Sequence, residues 1–92
     1  DLPITREQAA TMLTNLANVF KIKTTASEVV IYKDRNLFST WAQNSIHFVT
    51  NLKDAETNTA IMSGFNNNFD PKGNYTREQA IITIYRLIKA ID

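Results

Sequence analysis

A five-residue word, Thr-Arg-Glu-Gln-Ala, occurs twice in this chain of 92 residues, beginning at Thr5 and again at Thr76. An internal repeat constrains the fold more than local propensity does, because both copies must serve one kind of structural unit. The offset of 71 residues carries the correspondence further, setting Leu16 on Leu87 and Met12 and Leu13 on Thr83 and Ile84. The word itself encodes a helix start. A Thr followed three residues later by Gln forms a capping box, in which each side chain satisfies the other residue's backbone N–H. Glu7 and Glu78 then fall in the first turn, where a carboxylate suits the positive end of the helix dipole. Ile4 and Tyr75 precede the caps, placed to staple onto Ala9 and Ala80.

Apolar residues at Ala9, Met12, Leu13, Leu16 and Phe20 recur at helical spacing and predict a helix near 5–20. The second copy predicts one near 76–91, with Ala80, Ile81, Ile84, Leu87, Ile88 and Ile91 on a broader stripe. The run Ile81–Tyr85 would pass for a strand on propensity, but its cap, its length and its kinship with the first copy favour helix. A helix apolar over more than one face is buried on several sides or faces another subunit. Between the copies, Ser39 or Thr40 caps a third helix near 40–52, running through Trp41, Ile46, Val49 and Leu52. Val29–Tyr32 reads as extended and Lys53–Thr59 as loop. Ile61–Gly64 reads as a short helical turn ended by glycine, and Asn66–Pro71 as a turn-rich connection anchored inward by Phe69. The fold expected is all-α, with three main helices and short extended connections.

Composition removes several function classes. The chain is 43% hydrophobic and 21% charged, enough to build a core. It has no cysteine, so disulfides, Cys-based zinc sites and thiol chemistry are excluded. A net charge of +1 gives no basic footprint for nucleic acid, which leaves a helical DNA-binding domain as the weakest reading. The longest apolar stretches fall far short of a membrane span, and no signal peptide is visible. His47 stands alone, without the second histidine or cysteine that a metal site or catalytic dyad requires. Asn68–Gly73 has a partial calcium-loop spacing, but Lys72 takes a ligand position and Gln79 stands where a bidentate Glu belongs. No P-loop, dinucleotide fingerprint or nucleophile elbow occurs. Neither an enzyme nor a cofactor is expected.

From Tyr32 onward, further elements follow in a fixed order: Tyr32-x-Asp34, Trp41-Ala42, Ile46, Ile61-Met62-x-Gly64, Phe69-x-Pro71 and Tyr75-Thr76-Arg77-Glu78. Together they resemble the S-layer homology (SLH) motif of bacterial cell-surface proteins. The resemblance covers one whole motif, so that residues 28–92 read as complete and 1–27 as the closing helix of a preceding motif plus a linker. The chain reads as about one and a half motifs. Both copies have Thr-Arg-Glu-Gln where the common family word is Thr-Arg-Ala-Glu, which shifts the acidic residue by one position.

This resemblance implies a non-catalytic, extracellular module that anchors a protein to the bacterial wall by binding secondary cell-wall polysaccharide, often pyruvylated. The family usually joins three motifs in a helical pseudo-trimer, with ligand grooves between neighbours. Its implicated positions map onto Arg77 and Arg6, Trp41, Asp34 and Gly64. An arginine at a capped helix start can present a bidentate fork to a carboxylate. Trp41 offers a face for a sugar ring, Asp34 can accept from sugar hydroxyls, and Gly64 permits close backbone approach. Each residue also has a plainer reading: solvated arginines, a core tryptophan, an aspartate bracing a turn, a glycine ending a helix. The alternative function is a protein–protein or self-assembly module, using the apolar breadth of helix 76–91 as a homo-oligomer contact or against neighbouring motifs of a longer chain.

Overall fold

The computed structural model describes residues 4–21, 31–53 and 60–89. Strand β1 (Ile4–Thr5) leads into helix α1 (Arg6–Val19). Short 3-10 turns at Arg35–Leu37 and Thr40–Ala42 precede helix α2 (Gln43–Asn51). Strand β2 (Asn74–Tyr75) then leads into helix α3 (Arg77–Lys89). The described residues are mostly helical. A two-stranded antiparallel ribbon departs from the all-α expectation: Ile4 pairs with Tyr75 and Thr5 with Asn74. The residues entering the two repeated helix starts therefore pair with each other.

Both capping boxes form. Gln8 N–H donates to Thr5 Oγ1 at 3.2 Å, and Thr5 N–H donates to Gln8 Oε1 at 2.8 Å. The second box matches, with Gln79 N–H on Thr76 Oγ1 at 3.1 Å and Thr76 N–H on Gln79 Oε1 at 2.9 Å. A helix start leaves further N–H groups without intrahelical partners. In α1 those of Arg6 and Glu7 donate to the carbonyls of Gly73 and Pro71, at 2.9 and 3.0 Å. The loop before the second copy thus seals the start of the first.

The buried stripe of α1 is Ala9, Ala10, Leu13 and Ala17, turned from the Met12–Leu16–Phe20 line that periodicity suggested. Met12 and Phe20 are exposed and Leu16 is half-buried. The small alanines leave room for α2, which meets α1 with Ile46 and Val49 in the same core cluster. The middle helix also starts later than expected, because 40–42 winds as a 3-10 turn. Neither Ser39 nor Ala42 caps it through a side chain.

Ile61–Gly64 is not helical. Its backbone bends away after Ile61 N–H donates to Leu52 O and Met62 N–H to Val49 O, which tie it along α2. Gly64 therefore ends no helix, and the expected short turn of helix is corrected. Asn66 and Asn67 both take positive φ, 53° and 65°, inside a tight turn closed by the Phe65–Asn68 backbone pair. Asparagine tolerates that conformation better than other residues with a side chain, which explains the polar run. Phe69 behaves as expected and is fully buried. Its ring lies 5.4 Å from Tyr32 and 6.0 Å from Phe38, and Tyr32 and Phe38 meet edge-to-face at 6.0 Å. Burying a side chain of this size contributes about 1.5–3 kcal/mol, and each favourable ring pair roughly 1 kcal/mol more. Val29, Val30, most of the Lys53–Thr59 loop and Ile91 lie outside the described residues.

Candidate functional site

The Asn66–Asn67 turn and the Phe69 anchor bring the 63–70 segment against the start of α1. There Arg6 spans the gap. Its Nε donates to Phe69 O at 2.8 Å and its Nη2 to Ser63 O at 2.7 Å. The guanidinium carbon also lies 4.9 Å from the centre of the Phe69 ring. A guanidinium has five N–H donors. These two bonds leave Nη1 and one N–H of Nη2 for other acceptors.

Asp34 reaches the same segment from the opposite side. Its carboxylate accepts from Phe69 N–H at 3.0 Å and from Asp70 N–H at 2.7 Å. The bracing role is thus real, and it satisfies two donors where Asp70 turns the chain at a φ of 60°. Gly64 completes the arrangement. A Cβ there would stand 2.2 Å from Asn68 O and 2.7 Å from Tyr32 Cε1, so close approach, not positive φ, requires glycine.

Arg6, Asp34 and Gly64 consequently line one hollow of about 640 Å³, with Asn68, Asp70 and Asn74. A smaller hollow of about 190 Å³ adjoins it and shares Arg6, Ser63 and Gln79. Its far wall is α3, through Ile82, Thr83 and Arg86. Tyr75 also lines this second hollow, its hydroxyl bonded to Thr83. Burial pushes the Tyr75 phenol above its ordinary pKa, against the opposing effects of the Thr83 bond and the Arg6 charge.

The other two candidates lie apart. Arg77 lies exposed at the first turn of α3 and lines neither hollow. Trp41 sits on the second 3-10 turn, 57% exposed, so the core reading of this residue is corrected. Ala42 beside it turns inward instead.

Sequence reasoning also missed a buried clamp. Glu7 is only 2% exposed, although its type and position suggested no more than a first-turn residue complementing the helix dipole. Its carboxylate accepts from Ser39 N–H at 2.9 Å, Ser39 Oγ at 2.7 Å and Lys72 Nζ at 2.6 Å. Lys72 also donates to Ser39 Oγ at 2.8 Å. Burial alone would raise the Glu7 pKa, but the bonds from Lys72 and Ser39 outweigh it and hold the group below its ordinary value. No local signal marks this clamp, because its members lie 32 and 65 residues from Glu7. Arg86 was findable, since Gln79, Thr83 and Arg86 share one helix face by spacing.

Set beside known families, residues 54–81 match the model of the S-layer homology domain. That stretch is similar to an S-layer homology segment. It ends within the second Thr-Arg-Glu-Gln-Ala helix and includes the Gly64 and Phe69 elements that build the hollow. S-layer homology domains are cell-surface anchoring modules. No curated protein and no solved structure matches the chain. Among the described residues no helix is long and apolar enough to cross a membrane.

Proposed function

We propose that this chain is a non-catalytic anchoring module that holds a bacterial surface protein on the wall by binding acidic secondary cell-wall polysaccharide. The observation carrying this reading is the convergence of Arg6, Asp34 and Gly64, distant in sequence, on one hollow beside an S-layer homology segment. Arg6 is held in place by two main-chain carbonyls and keeps further N–H groups for a ligand carboxylate. Arg86 supplies a second cation to the adjoining hollow, while Asn68 and Asn74 can bond sugar hydroxyls. Asp34 and Asp70 also line the larger hollow. The two backbone N–H groups on Asp34 compensate its charge, which leaves its remaining lone pairs for hydroxyls.

Retention of the chain on purified pyruvylated wall polysaccharide tests this reading. Retention should be lost when the acid groups are removed from the polymer. Arg6→Gln should weaken it by about tenfold or more, the scale of one charge-assisted bidentate contact. Arg77→Ala should alter it less than about twofold, because Arg77 lies outside the hollow. Equal retention on intact and acid-stripped polymer would refute the assignment.

A second reading, contact with a neighbouring unit, is supported by comparing the two copies. Ala10 and Ala17 of α1 are fully buried, whereas their counterparts Ile81 and Ile88 are 64% and 56% exposed. Glu7 is gripped by Ser39 and Lys72, whereas its counterpart Glu78 is exposed. The face that α1 uses against α2 thus recurs on α3, enlarged and uncovered among the described residues. A following motif, or a second copy of the chain, would cover it.

A further inference from the structure

A third hollow of about 340 Å³ opens on the other side of Tyr32, between the Arg35–Leu37 turn and α2. It shares no lining residue with the two hollows beside Arg6. One face of α2 forms its wall, because Gln43, Ile46, His47 and Thr50 recur at helical spacing. Its base is apolar and rigid. Ile46 is 1% exposed, Phe38 packs edge-to-face on Tyr32, and the Tyr32 hydroxyl is fastened to Thr50 Oγ1 at 2.9 Å. Its rim is polar: Arg35 and Asn36 stand on one side, Gln43 and His47 on the other. Among the described residues no carboxylate lines it, and none pairs with Arg35.

We infer that this hollow is a second ligand site that takes a single acidic sugar residue. Among the described residues Arg35 is the one permanent charge at the rim, and its planar fork matches a carboxylate in two parallel bonds. Asn36 and Gln43 offer both donors and acceptors, as sugar hydroxyls require, and His47 adds a ring nitrogen. Phe38, half-buried and backed by Ile46, supplies the apolar patch against which the C–H face of a pyranose lies. The volume is at the lower end for small-molecule sites, which suits one sugar unit. Only the choice of a sugar acid over another small carboxylate rests on the wall-polysaccharide reading. The cationic rim over an apolar base stands without it.

The test is an NMR titration of the whole chain with sodium glucuronate, and in parallel with glucose and with sodium acetate. Glucuronate is expected to give saturable shifts centred on the amides of Arg35, Gln43, His47 and Thr50. Glucose and acetate should each require at least about tenfold higher concentrations, since each offers half of the recognised chemistry. Arg35→Gln, an exposed substitution that spares the base, should weaken glucuronate by about tenfold or more. Absence of saturable shifts, shifts that survive Arg35→Gln, or acetate binding as well as glucuronate would each overturn the inference. Polysaccharide retention separates the two proposals. Its loss with these shifts intact refutes wall anchoring alone, and its persistence without them refutes this site alone.

Discussion

Glu7 and Glu78 are the same residue in the same word, yet their surroundings give them opposite roles. Glu7 is enclosed by donors from Ser39 and Lys72, and Glu78 faces solvent. Replacing Glu7 by Gln removes the charge that accepts from Ser39 and from the more than half-exposed Lys72, at a cost of about 1–2 kcal/mol in a denaturant melt. Glu78→Gln should change the same melt by less than about 0.5 kcal/mol. Their pH behaviour should differ as well. Because the folded-state pKa of Glu7 is lowered, its contribution is complete above the ordinary value of 4.5 and is lost as pH falls through and below it. Stability of the unmodified chain should therefore drop more steeply on acidification than that of Glu7→Gln. Charge and helix position were legible at Glu7, but burial was not. Burial depends on Ser39 and Lys72, whose arrival no spacing in the sequence announces.

At the scale of elements, local chemistry was highly readable. Both capping boxes, the inward Phe69 and the turn at Asn66–Asn67 follow from residue types whose preferences act over three or four positions. The readings that failed depended on what lay opposite. Ile61–Gly64 was expected to wind as a helical turn, but the Phe65 N–H that would close that turn on the Ile61 carbonyl donates to Asn68 O instead. The α1 stripe turned toward Ala10 and Ala17 because close packing with α2 rewards small residues, which hydrophobicity counts rank below Met12 and Phe20. Gly64 gives the sharpest element-scale prediction. A methyl group there meets the Asn68 carbonyl at 2.2 Å, so Gly64→Ala must displace main chain and should destabilise by about 1–3 kcal/mol. Thermal unfolding should register this as a fall of roughly 4–8 °C per kcal/mol for a domain of this size.

At the scale of the whole molecule, the two repeated helices are separated by what covers them. Sedimentation velocity on the chain should show concentration-dependent association. The double substitution Ile81→Glu and Ile88→Glu should remove it while leaving the helical circular dichroism intact, since both side chains are more than half exposed. Of the candidate site, the chemistry was legible in Arg6, Asp34 and Gly64, while their meeting in one hollow depended on the 63–70 segment folding back over α1. Arg77 and Trp41 carry the same family resemblance and lie outside that hollow. The chain alone was enough to establish the repeat, the helix starts and the S-layer homology resemblance, because these rest on identities and on contacts three or four residues apart. Tertiary structure alone assigned different work to identical residues, burying Glu7 and exposing Glu78, because burial depends on the remote partners that the path of the chain supplies.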